Sequence, residues 1–270
     1  MIGSFNNKKS MIMTVDLEGD LDTKNTVSLE KVVPRLLDLF EARNIKATFF
    51  VVSELLQTHL ELIKEIEKRG HEIASHSKTH TFLNSKNSLK EMQESKKEFE
   101  KYGFEVKGFR APSYITANSH FEDLKKAGYQ YDASFAVFWP GRYRNLWLGF
   151  KPKPYVQTMK GSSGEEIKIL ELPTPTFIWP CINSGLSYLK LFYPLSKLFP
   201  FQYMFYLHPW EFLDYEDLPE TKKGIVGKLL TRNSGERAWQ IFEEFLDWCE
   251  GNGVEWVSCE ENIILSKFLD

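Results

Sequence analysis

The feature that most constrains this chain is a regular exchange of short apolar runs with amphipathic runs of helical spacing. Residues 11–15 read as a buried strand, and residues 29–43 carry apolar side chains on one helical face, with Pro34 in the first turn. Residues 46–52 form a second strand. Residues 61–69 then form a helix closed by Gly70, ahead of a short strand at 72–74. The exchange continues with a helix at 89–102 and a strand at 106–109. A further helix starts between Thr116 and Ser119, with Ser119 and Glu122 at capping-box spacing, and stops at Gly128 before a strand end at 129–132. Residues 155–158 and 167–170 flank a Gly-Ser-Ser-Gly turn and read as an inserted hairpin. A helix at 185–198, a strand at 204–207, a helix at 236–249 and a strand at 254–258 complete the pattern.

Strand and helix in turn predict an α/β protein with a parallel sheet, and the number of units favours a barrel or distorted barrel over an open sheet. There is no internal repeat, linker or low-complexity segment, so residues 1–270 read as a single domain. At 42% hydrophobic content the chain has ample material for a core.

In such folds chemistry collects at the carboxyl ends of the strands, where the polar islands fall: Asp16 after the first strand, His76 after the third, Arg110 after the fourth, Asp132 after the fifth, His208 after the last but one. His76 and His80, four apart, can turn both imidazoles toward one cation, and zinc or a similar borderline metal suits them. A catalytic site needs a third ligand, usually a carboxylate. Asp16 and Glu18 lie two apart, so an extended backbone points them the same way, one to bind metal and the other to take a proton from water. These islands together predict a metal-dependent hydrolase.

Composition narrows the alternatives. A net charge of −3 gives no electrostatic reason to expect a nucleic-acid partner. The three cysteines, Cys181, Cys249 and Cys259, form neither a disulfide framework nor a zinc-thiolate spacing, which fits a reducing compartment. Residues 1–10 are polar and the apolar run after them stops at Asp16, so no export signal is expected and the cytoplasm is the expected location. No run reaches the roughly 18 to 20 apolar residues of a membrane span. The aromatic-rich segment 177–210, broken by Lys190, Lys197 and four prolines, suits either peripheral contact with a membrane surface or a cleft wall.

Four segments carry a family resemblance: Thr14-Val15-Asp16-Leu17-Glu18, the run from Gly70 to His80 ending in His-Ser-Lys-Thr-His, Gly108-Phe109-Arg110-Ala111-Pro112-Ser113, and Tyr206-Leu207-His208-Pro209-Trp210-Glu211. They resemble the successive motifs of the NodB-homology polysaccharide deacetylases. The resemblance implies a distorted (β/α) barrel of about seven strands that removes N-acetyl or O-acetyl groups from a carbohydrate with a divalent metal, zinc first, cobalt or nickel otherwise. It implies Asp16 as general base, His76 and His80 as metal ligands, Arg110 as the partner orienting Asp16, and His208 as general acid. Asp132 would tune that histidine, Leu207 would line the pocket for the acetyl methyl, and a backbone N–H near Ser113 would stabilise the oxyanion.

The sequence departs from the family pattern in two places. The usual adjacent Asp-Asp is Asp16-Leu17, which makes Glu18 the expected metal carboxylate, with Asp20 a poorer choice. The third motif reads Arg-Ala-Pro-Ser-Tyr and brings Tyr114 near the cleft. Trp210 and the aromatics Trp139, Trp147, Phe150, Tyr155, Phe177 and Trp179 offer faces for sugar rings, or equally belong to the core. His59, His71 and His120 are expected outside the site. Cytoplasmic placement favours a glycan precursor, lipid-linked or nucleotide-linked, over an exported polymer. The alternatives are another amide hydrolase, such as a deformylase or ring-opening amidohydrolase, and a non-catalytic sugar-binding relative.

Overall fold

The computed structural model describes residues 9–136, 153–178, 182–193, 203–217 and 231–267. Strand β1 (Lys9–Leu17) pairs with β2 (Ala47–Val51), β10 (Met204–Leu207) and β11 (Val254–Val257) in a nine-stranded sheet completed by β3 (Glu72–Ser75), β4 (Gly108–Phe109), β5 (Tyr131–Asp132), β6 (Tyr155–Lys160) and β7 (Glu166–Glu171). Seven strands run parallel in the order β10-β1-β2-β3-β4-β5-β7. An eighth parallel strand, β11, pairs with the start of β1, and β6 joins β7 antiparallel as the expected hairpin. A small antiparallel pair, β8 (Thr176–Ile178) and β9 (Ile182–Asn183), was not evident from the sequence pattern.

The sheet is curled. Strands about 4.8 Å apart would place β7 and β10 roughly 29 Å apart if the sheet were flat. Yet Thr174, just past β7, lies with its Oγ1 3.9 Å from the Met204 sulfur on β10. Isolated bridges pairing Ala136 with Thr174, and Gly185 with Tyr206, span the remaining gap. Side chains from all round the arc meet inside it: Ile12, Phe50, Ala74, Tyr131, Leu172, Met204 and Val257. This is the distorted barrel, and Gly185 is required at its seam, since a Cβ there would sit 2.4 Å from the Tyr206 ring.

The strand period of two sends alternate residues outward to the helices. Met13, Val15 and Leu17 of β1, and Phe205 and Leu207 of β10, join an outer core with the helix faces. Helix α2 (Val33–Ala42) contributes Val33, Leu36, Leu37 and Phe40 at helical spacing. The helices that follow are α3 (Leu60–Lys68), α4 (Ser88–Lys101), α5 (His120–Ala127), α6 (Leu186–Phe192), α7 (Glu236–Gly251) and α8 (Cys259–Lys267). Phe205 stacks on Phe242 and Phe245 of α7, with ring centroids 6.1 and 4.7 Å apart.

Three local expectations need correction. The helix expected over 29–43 is two, α1 (Val27–Lys31) and α2, because Pro34 has no N–H to continue the ladder to Glu30. Ser119 does not form a capping box with Glu122; its hydroxyl bonds to Asp123 at 2.7 Å. The strand expected over 106–109 is only Gly108–Phe109, since the Val106 carbonyl accepts the Lys96 ammonium instead. Gly70 does end α3 in the left-handed region, at φ 82°. Of the helix expected over 185–198, Leu186–Phe192 is observed and residues 194–202 lie outside the described set. Among the described residues no helix is long and apolar enough to cross a membrane.

Candidate active site

The strand ends bring most of the expected residues together. Glu18 follows β1, and its Oε2 lies 2.5 Å from His80 Nε2 and 3.3 Å from His76 Nε2. Donor atoms of the three residues all fall within 4.8 Å of one another, and Glu18 and His76 are buried. His76 is set by the backbone: its Nδ1 donates to the Arg110 carbonyl at 2.8 Å, which leaves the Nε2 lone pair facing Glu18. The loop carrying His80 is pinned from α4, where the Glu91 carboxylate accepts the N–H groups of Lys78 and Thr79 at 3.1 and 3.0 Å.

The donor set fits a divalent cation. Without one, two imidazoles packed against one carboxylate oxygen need protons on the rings. With one, two neutral imidazoles and a carboxylate make a ligand set suited to zinc. Burial would raise the Glu18 carboxyl, but the charges of His80 and His208 and hydrogen bonds from His76 and His80 hold it well below the usual range. Asp20 is elsewhere: it caps α1, accepting the Val27 N–H at 2.8 Å and the Ser28 hydroxyl at 2.5 Å.

Asp16 and Arg110 form a fully buried pair, Oδ1 to Nη1 at 2.6 Å. The same Nη1 donates to the Thr14 hydroxyl at 3.1 Å, and Nε donates to the Ala133 carbonyl at 3.2 Å. The guanidinium also stacks over the Phe50 ring, 4.1 Å from its centroid. Burial works against its charge, but Asp16 outweighs that and shifts it upward. The next turn, Ser113 and Tyr114, runs at φ 50° and 57°, and in the loop after the neighbouring strand β3 Ser77 and His80 stand at 67° and 58°. Non-glycine residues held this way in two adjacent loops of one site mark stored strain. Tyr114 accepts a hydrogen bond from Thr174 Oγ1 at 3.1 Å.

His208 faces this group, its Nε2 3.7 Å from Asp16 and 3.9 Å from Glu18. Burial would lower its pKa, but Glu18, Glu211 and Asp16 outweigh it and raise the ring to about 9. Trp210 stacks on His208 with centroids 5.0 Å apart and donates its indole N–H to Glu18 Oε1 at 3.3 Å. It therefore braces the site.

Two expected roles are corrected by position. Asp132 does not stand behind His208. Its carboxylate bonds to His120 Nε2 at 2.8 Å and to the Ser134 hydroxyl at 2.6 Å, so His120, expected to be incidental, is its partner. Burial would raise Asp132, but His120 outweighs it; Glu171 beside it is pushed well above its usual range by burial and then by Asp132. Through Ser134, which accepts the Ala111 N–H at 2.8 Å, this buried group braces the loop after Arg110. Leu207 does not line the cleft either. It lies in the outer core, and the strand period turns Tyr206 inward, 6.1 Å from Tyr114 and 5.7 Å from His208 between ring centroids.

Sequence reasoning missed Tyr206, Thr14 and Glu211. For Tyr206 the signal was present, since residues two apart on a strand share a face and Tyr206 is two before His208. Trp139, Trp147, Phe150 and Trp179 lie outside the described residues, as does the side chain of Phe177. Tyr155 is on β6, 38% exposed.

Comparison with known proteins gives the same placement. Over 100 residues, 36% of this chain and 47% of the relative, it is 34% identical to the peptidoglycan-N-acetylglucosamine deacetylase of Bacillus cereus. Over 168 residues, 58% of this chain and 59% of the relative, it is 32% identical to the "putative polysaccharide deacetylase YheN" of Bacillus subtilis. The matches thus span about half the length of these relatives. The crystal structure of a "putative polysaccharide deacetylase from Mycobacterium smegmatis" shares the fold, with a TM-score of 0.62 at 19% identity, covering 97% of this chain and 91% of that one. Residues 5–131, which include Asp16, Glu18, His76, His80 and Arg110, match the model of the polysaccharide deacetylase family.

Proposed function

We propose that the chain is a divalent-metal hydrolase that removes an N-acetyl group, or an O-acetyl group, from a sugar of a glycan or glycan precursor. The observation that carries this is the convergence of Glu18, His76 and His80 within 4.8 Å, beside a buried Asp16–Arg110 pair and facing His208. A cation held by Glu18, His76 and His80 would acidify water and polarise the acyl carbonyl. Asp16, oriented by Arg110, accepts the proton of the attacking water. The Ser113 backbone N–H, in the turn beside Arg110, donates to the developing oxyanion. His208 gives its Nε2 proton to the departing amine, which cannot leave as an anion. Tyr114 and Tyr206 supply aromatic faces around the acyl group and sugar.

The name of the Bacillus cereus relative supports an N-acetylglucosamine unit as the sugar. Buried free thiols at Cys249 and Cys259 fit a reducing compartment, hence a cytoplasmic precursor, with membrane contact through a lipid-linked substrate. The test is acetate release from N-acetylglucosamine oligomers by the zinc-loaded protein. Acetate, absent with Asp16→Asn, is expected. Formate from formylated sugars or ring-opened cyclic amides without acetate would replace this reading with another amide hydrolase, and sugar binding without turnover would make the chain a binding protein.

A further inference from the structure

With Asp132 committed to His120 and Ser134, the carboxylate behind His208 is Glu211, three residues on. Its Oε2 accepts the His208 backbone N–H at 2.7 Å and lies 3.5 Å from His208 Nδ1, an ion-pair separation rather than a hydrogen bond, so one oxygen holds the chain and faces a buried ring nitrogen that has no hydrogen-bond partner among the described residues. Its Oε1 accepts the Ser187 hydroxyl from α6. Its backbone carbonyl accepts the Lys190 ammonium, also from α6, and the Ser234 hydroxyl at 3.2 Å. Lys190 donates in addition to Ser234 Oγ at 2.9 Å. Glu211 and Lys190 are each 1% exposed, a degree of burial that charged side chains reach only with partners.

We propose that Glu211, held by Ser187 and Lys190, is the positioning residue of the proton donor: it fixes the His208 ring with Nδ1–H toward itself and Nε2 toward the cleft. The inference rests on the reading of His208 as the group that protonates the leaving amine. A histidine fixed through one nitrogen presents the other in a single tautomer and direction. Trp210 on the ring face removes the remaining freedom, by stacking.

Glu211→Gln keeps the shape and removes the charge. With an N-acetylated sugar its kcat is expected to fall roughly 10- to 100-fold, with KM unchanged. Hydrolysis of 4-nitrophenyl acetate, whose phenolate leaves without a proton, is expected to change little. Equal losses on both substrates, or no loss on the sugar, would overturn the proposal. A parent inactive on both would refute the deacetylase reading, and the ring geometry is then decided by long-range 1H–15N spectra, with His208 assigned through His208→Gln. Read well above pH 9, where the ring is neutral and a tautomer is defined, a proton on Nδ1 in the parent, giving way to a mixture of tautomers in Glu211→Gln, supports the proposal; identical His208 signals in the two overturn it.

Discussion

Arg110 holds more of this site together than any other single side chain. It reaches from the end of β4 across the barrel to Thr14 and Asp16 on β1, and its carbonyl sets the tautomer of His76. Arg110→Met would leave the Asp16 charge in the interior without its guanidinium partner, a loss of about 3–5 kcal/mol that denaturant unfolding would register. At the same scale the sequence separated two acids well and two poorly. Asp16 and Glu18 were legible as a pair because a strand end points alternate side chains the same way, and the family resemblance told them apart. Asp132 and Glu211 were not, because which carboxylate meets which histidine depends on how α5 and the turn after β10 pack. His120 on α5 fills the place beside Asp132, and the turn starting at Pro209 folds Glu211 back on His208.

Elements were easier to read than contacts. The parallel strands and amphipathic helices follow from their periods, and β10 was legible because its apolar run is bounded by Tyr203 on one side and His208-Pro209 on the other. The pair β8 and β9 was hidden, being too short to show a period, and so was the break between α1 and α2, which needs the i−4 geometry of Pro34. Asp20 belongs to this scale, since it accepts the N–H groups of Val27 and Ser28 at the start of α1. Asp20→Ala is expected to cost about 1–2 kcal/mol, the loss of a helix cap, while leaving zinc binding intact. Loss of metal from that variant would return Asp20 to the ligand set.

At the scale of the whole molecule, one pH-sensitive contribution to stability sits apart from the chemistry. His71 lies beside β2, away from the metal ligands. Its Nδ1 accepts the Ala47 N–H at 3.3 Å, and its ring packs against Phe40 and Phe49. Burial, with Lys46 and Arg69 adding to it, lowers its pKa from 6.5 to about 4. The folded protein therefore favours neutral His71, and the stability this contributes is complete above pH 6.5 and lost as the pH falls from there toward 4. Between pH 7 and pH 5 the loss is on the order of 1–2 kcal/mol. His71→Asn, which still offers an acceptor to Ala47 but does not titrate, is expected to lose less over that interval in denaturant titrations; an unchanged pH dependence would contradict this.

The chemistry lies at the other place, where β1 and β3 deliver Glu18, His76 and His80 to one point. The most direct test is the metal content of the protein and its His76→Ala variant after incubation with zinc and removal of the excess. About one equivalent is expected in the parent and none in the variant. No zinc, cobalt or nickel retained by the parent, or equal amounts in both proteins, would contradict it.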